Sequence, residues 1–204
     1  IDAMAAVITD GGVVGEASFV AHKLITQLAE YVDPAAEKFE VLVGPLVAGL
    51  SPELGARAVL ALAAIQTLLG NERLMHAFVR GGLVPKLAMF LVGRDLAGVD
   101  GNLVLRCVMA LLQTFPSPEA RSEVVSNQMV VPLLALYDSP DPALHSLWFE
   151  AMARVCEVQE FRTQIEQSTA ALSYIKKAIR LCELTYAEVM AVTLTSLFQS
   201  PALL

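Results

Sequence analysis

From Glu16 onward the apolar positions of the chain recur at helical rather than strand spacing. Phe19, Val20, Leu24, Ile25 and Leu28 lie three or four apart, the interval that gathers side chains on one face of an α-helix. The helix they predict covers 16–32 and stops at Asp33-Pro34, because the residue before a proline resists the α conformation. Short apolar helices are predicted next at 34–40 and 45–50, then a longer one at 51–69 with Ser51 as N-cap and Pro52 at the tolerated first position. Gly70-Asn71 predicts a left-handed stop to that helix. The same succession returns as 72–80, ended by Gly81-Gly82, then 85–92, then 102–115 before Pro116. It returns again as 117–126, 131–137 and 142–158, the last entered through Asp138-Ser139-Pro140-Asp141-Pro142, and a final time as 160–167, 172–183 and 186–199. Residues 1–15 end in Asp10-Gly11-Gly12-Val13-Val14-Gly15 and predict a flexible leader. A phosphate-binding turn there needs a second strand with an acidic residue about 20 positions on, and a helix stands in its place. Residues 201–204 are a tail, leaving 16–200 as one domain.

Three prolines mark the phase of the pattern. Pro45-Leu46-Val47-Ala48, Pro85-Lys86-Leu87-Ala88 and Pro132-Leu133-Leu134-Ala135 each follow a turn and open a short apolar helix. They are spaced by 40 and 47 residues, the excess lying in the loop 93–101. A period of about 40 to 47 residues built from two or three helices is that of the HEAT and armadillo repeats, and three helices per unit select armadillo. Gly81-Gly82-Leu83-Val84-Pro85-Lys86-Leu87 resembles the Gly-Gly-Ile-Pro-x-Leu opening of the second armadillo helix. Ala61-Leu62-Ala63-Ala64-Ile65 and Val108-Met109-Ala110-Leu111-Leu112 resemble the third helix. The resemblance covers most of 33–200 as about four units with a partial one in front. The fourth departs from it, having Tyr174-Ile175-Lys176 where a proline is expected.

What the resemblance implies is an all-α fold, a right-handed α-α superhelix of the armadillo type whose third helices line a concave surface. The implied function is that of a non-catalytic scaffold or adaptor holding another protein, as a peptide, a helix or a domain. Armadillo import receptors carry repeated asparagines and tryptophans on the third helix. The comparable positions here are Ala64 and Leu111, and Trp148 is the chain's one tryptophan, so an extended backbone lacks a regular ladder of amide donors. A block of four such units is also similar in layout to the armadillo nucleotide-exchange co-chaperones of Hsp70, which makes exchange the alternative function.

Composition narrows the partners. With 55% hydrophobic and only 17% charged residues, the chain suits helices covered on both sides by neighbours. Its net charge of -7 speaks against nucleic acid, since phosphate binding needs a basic face. Lys176, Lys177 and Arg180 form one basic spot, which on a helix is ordinarily its solvated side. Cys107, Cys156 and Cys182 are odd in number, far apart and set in apolar helical patterns, as expected of reduced, buried thiols in a cytoplasmic protein. The most apolar runs, 58–71 and 124–137, fall short of the roughly 18 to 20 residues of a membrane span, and the N-terminus has no secretory pattern.

No enzyme chemistry is legible. His22, His76 and His145 sit on separate units, away from one another and from the cysteines, so neither a metal site nor a cofactor is expected. Phosphate-loop, nucleophile-elbow and zinc-helix motifs are absent from the sequence, and Glu157 with Glu160 is a surface pair rather than an acid and base in a shared pocket. The long helices carry the partner-binding candidates Asn102, Arg106, Glu150 and Arg154, with Phe149 as an apolar anchor and Trp148 as core. Glu150 and Arg154 stand at the spacing of an intrahelical ion pair. The loop 93–101, with three glycines, two aspartates and an arginine, is a second candidate surface.

Overall fold

Every regular element among the described residues is a helix. The computed structural model describes residues 1–9, 16–28, 32–51, 56–92, 104, 106–109, 118–138, 142–181, 187, 188, 191, 194 and 195. The chain divides into two compact units, Ile1–Glu123 and Val124–Leu204.

The first unit contains α1 (Asp2–Thr9), α2 (Glu16–Gln27), α3 (Val32–Phe39), a 3-10 turn Glu40–Leu42, α4 (Val43–Ala48), α5 (Ala56–Leu68), α6 (Glu72–Arg80) and α7 (Leu83–Val92). Residues 104 and 106–109 are also helical. Helices of like rank stack on one another: α2 on α5, α1 on α4 and α3 on α6. That pairing is what a repeat array requires, since no unit can bury its own apolar face alone. α5 is apolar almost all round and buries Ala58, Ala61, Leu62, Ala64, Ile65 and Leu68, as a helix covered by neighbours on two sides should.

Residues 2–9 are not a loose leader. They form α1, which buries Ala5 and Ile8 against α2 and α4. The Arg57 guanidinium donates to the Ile8 carbonyl, satisfying one of the acceptors left open at the end of a helix. α1 and α2 thus stand as the second and third helices of the partial repeat in front. Residues 10–15 lie outside the described residues.

Further boundaries differ from the sequence pattern. α2 ends at Gln27 rather than at 32, and Val32–Phe39 is a helix of its own with Pro34 as its third residue. Pro45, Pro85 and Pro132 also occupy the third position of their helices rather than the first. The missing N–H falls among the four that have no intrahelical acceptor, so proline costs the helix no bond there. Asn71 is extended at φ −99° and acts as the N-cap of α6, its side chain accepting from Leu74 N at 3.1 Å. It starts the next helix instead of stopping the previous one.

α8 (Pro118–Ser126) contains the boundary between the two units. The second unit continues with α9 (Val130–Ala135), a 3-10 turn Leu136–Asp138, α10 (Pro142–Glu157), α11 (Gln159–Gln167) and α12 (Thr169–Leu181). Here α9 packs on α12, again second helix on second helix, while α10 and α12 both pack on α11. Ser168 caps α12, its hydroxyl accepting from Ala171 N at 3.2 Å, and Lys177 bonds to Asp138 at the end of the preceding second helix. Trp148, 1% exposed, anchors the unit. Its indole N–H donates to the Leu133 and Leu134 carbonyls at 3.0 and 3.2 Å, and its ring lies 4.9 Å from Tyr137 and 5.2 Å from Phe149.

The turns between first and second helices need a left-handed residue. Gly82 supplies it at φ 83° after α6, and Gln128 does so at φ 51° after α8. A Cβ on Gly82 would meet nothing within 4 Å, so the backbone alone decides its cost. Gly82→Ala should therefore lower stability by about 1–2 kcal/mol, and Gln128→Gly should raise it by about 0.5–1 kcal/mol. Urea midpoints test both, and an unchanged midpoint for Gly82→Ala contradicts the assignment. Gly81 serves a different purpose: a Cβ there would lie 2.8 Å from Val43 Cγ1, so this glycine lets the turn close onto α4.

Candidate functional site

α10 is long because sixteen residues from Pro142 run without a breaker, with proline at the favoured first position. Leu147, Trp148, Ala151, Met152, Val155 and Cys156 fill its packed side. The opposite stripe carries Glu150, Arg154 and Glu157, all exposed, beside half-buried Ala153. Arg154 pairs with Glu157 at 3.6 Å, one turn on, where the sequence pointed to Glu150. Phe149 does not serve as an exposed anchor. It is 2% exposed and is held edge-on against Trp148 and Tyr137, so the exposed stripe of this helix carries an alternation of charge rather than an aromatic ring.

In the first unit Arg106 is exposed while Cys107, Val108 and Met109 beside it are buried. Cys107 Sγ lies 3.8 Å from the Leu62 carbonyl of α5, so this short stretch stacks on α5 as α5 does on α2. The available face of α5 consists of Ala56, Val59, Leu60, Ala63, Gln66 and Thr67, flanked by half-buried Arg57, which is bonded to the Ile8 carbonyl, and it bears no acidic group. Ala64, the position compared with the import-receptor ladder, is buried, and the amide on the available face is Gln66. That apolar face was missed in the sequence because α5 is too uniformly apolar for periodicity to say which side is covered. Asn102, Leu111, Cys182 and the loop 93–101 lie outside the described residues.

Titratable and nucleophilic groups are dispersed. His76 lies 3.9 Å from Glu72 one turn away, and His145 stacks on Tyr137 at 5.1 Å. Among the described residues no group of three His, Cys, Asp or Glu could hold a metal ion, and no helix is long and apolar enough to cross a membrane. Burial pushes the Cys107 thiol up to about 12. It does the same to Cys156, up to about 12, where Arg162 opposes and Glu157 adds to the effect. Both thiols are therefore protonated and poor nucleophiles at neutral pH. Two exposed cations are instead drawn into surface pairs, Arg73 with Glu40 and Lys177 with Asp138, each partner raising the cation's pKa through its hydrogen bond.

No protein-family model matches the chain, and no curated protein matches it in sequence. Solved structures do match in fold. A designed armadillo repeat protein in complex with the peptide (KR)4 is 16% identical, with a TM-score of 0.79 over 95% of this chain and 80% of the other. Computationally designed armadillo repeat proteins for modular peptide recognition give 18% identity and a TM-score of 0.72 over the same shares. An armadillo-repeats-only protein from Plasmodium falciparum gives 20% identity and a TM-score of 0.62 over 87% of this chain and 80% of that one. At these identities the likeness is one of fold: the chain has the all-α, armadillo-type repeat fold.

Proposed function

We propose that the chain is a non-catalytic scaffold or adaptor that binds another protein, as a peptide, a helix or a domain, on the available third-helix faces within its units. The observation that carries this is its fold likeness, over 95% of its length, to armadillo proteins designed to recognise peptides. The side chains refine this reading. The neighbour in complex with (KR)4 holds a purely basic peptide, whereas the α5 face has no acidic group to meet one. α10 alternates Glu150, Arg154 and Glu157, which suits a partner carrying both signs of charge. Arg106 gives the first unit a cation of its own. The buried free thiols Cys107 and Cys156 suit a reducing compartment, which supports a cytoplasmic location as part of this proposal.

Affinity capture followed by mass spectrometry, run with the unaltered chain and with Arg106→Glu and Arg154→Glu, tests this. The ion pair of Arg154 is exposed, at 49% and 54% for the two side chains, and such pairs contribute only about 0–1 kcal/mol. Both variants should therefore fold, and each should lose partners that the unaltered chain retains. Retention of every partner by both variants rules the third-helix faces out. The narrower exchange-factor reading rests on the repeat layout alone, and release of labelled ADP from Hsp70, unchanged at saturating protein, would remove it.

A further inference from the structure

α12 carries three cations and no carboxylate. Its packed side is Ala171, Ile175 and Ala178, lying against α9 and α11. On the other side Thr169, Ser173, Lys176, Lys177 and Arg180 are all exposed, and their spacing puts them on one stripe. Lys177 is committed to Asp138. Lys176 and Arg180 stand four residues apart, the interval at which like charges on a helix repel. The helix dipole accounts for Arg180, which is in the last turn, but it has decayed at Lys176, more than a turn from the end. Two adjacent cations are thus held together, at a cost to the helix, in a chain whose net charge is -7.

We propose that this stripe docks an acidic segment of a partner protein in extended conformation, with alternate carboxylates bridging Lys176 and Arg180. The spacing agrees. Side chains four apart on a helix are about 5–6 Å from one another, and every second side chain of an extended strand recurs at about 6.5–7 Å on the same side. Ser173 and Thr169 continue the stripe with hydroxyl donors. Ile179, 40% exposed, adds an apolar contact beside Arg180. The surface is separate from the α10 face, and neither depends on the other.

Fluorescence anisotropy of a labelled peptide of alternating glutamate and glycine, titrated with the full chain at low salt, tests the proposal. Saturable binding is expected, with none for the matching glutamine–glycine peptide. Lys176→Glu/Arg180→Glu should weaken it about tenfold or more, and added salt should weaken it progressively. Lys23→Glu/Lys38→Glu, which changes net charge equally on exposed positions of the first unit, should leave it nearly unchanged. Lys176→Glu alone separates binding from folding. It places a carboxylate four residues before Arg180, the stabilising order for a helical ion pair, so binding should fall while the thermal midpoint holds or rises. No saturable binding of the acidic peptide, equal weakening by the control pair, or binding to phosphatidylserine vesicles without binding to the peptide would each overturn the proposal.

Discussion

Trp148→Ala should remove about 3–5 kcal/mol of stability, a large share of the 5–15 kcal/mol or so that a domain possesses. The largest buried side chain of the chain holds together pieces that come from different elements. Its ring contacts Tyr137 in the 3-10 turn and Phe149 on its own helix, and its N–H reaches the last carbonyls of α9. Alanine leaves a cavity where three elements meet and deletes the bond as well. Trp148→Phe keeps most of the volume and forfeits the indole bond, worth about 0.5–1.5 kcal/mol. The bonded carbonyls also accept from Leu136 N, so they are not left unpaired. The expected order in urea unfolding followed by circular dichroism is unaltered, then phenylalanine, then alanine. Alanine within about 1 kcal/mol of the unaltered chain contradicts this packing.

The second large effect is alkaline. Cys107 is fully buried and its thiol is pushed from 9.0 up to about 12; Cys156 is pushed similarly, up to about 12. In the unfolded chain each thiol loses its proton near its ordinary value, while in the folded chain it keeps it. The unfolded state then binds fewer protons, and stability falls as pH rises. The contribution is fully present below about pH 9 and is lost as pH climbs through the folded value, at about 1.4 kcal/mol per pH unit for each thiol. Lysines and tyrosines titrate in the same range, so the informative quantity is a difference. Cys107→Ala should make the stability profile shallower between pH 9 and 11 by about that slope, whatever its cost at pH 7. Parallel profiles for the two proteins would show that Cys107 is not held in the protonated form by burial.

Much of the fold could be read from the chain because repeat architecture writes its period into the sequence. Prolines at 45, 85 and 132, the Gly81-Gly82 turn and the apolar spacing of the long helices all agree in phase. Boundaries at single residues were less legible, since a cap and a stop use the same residue types. Gly70-Asn71 has the composition of a helix stop, yet Asn71 begins the next helix. α1 escaped because its signal is only Ala5 and Ile8, and its order comes from partners such as Arg57, 49 positions away in sequence. The candidate site suffered from a related blindness. Periodicity places Phe149, Glu150 and Arg154 on one helix without saying which flank a neighbour covers, and Tyr137 and Trp148 decide that Phe149 belongs inside. The two carbonyls that hold the Trp148 indole could not be anticipated either, because they belong to a different helix.

Hydrogen–deuterium exchange on the complex with a captured partner addresses the proposed mode of binding most directly. Slowed exchange is predicted in α5, in 106–109 and in α10, with α3, α6 and α9 unchanged. Protection confined to those first and second helices, leaving the third helices to exchange as in the free chain, would contradict it.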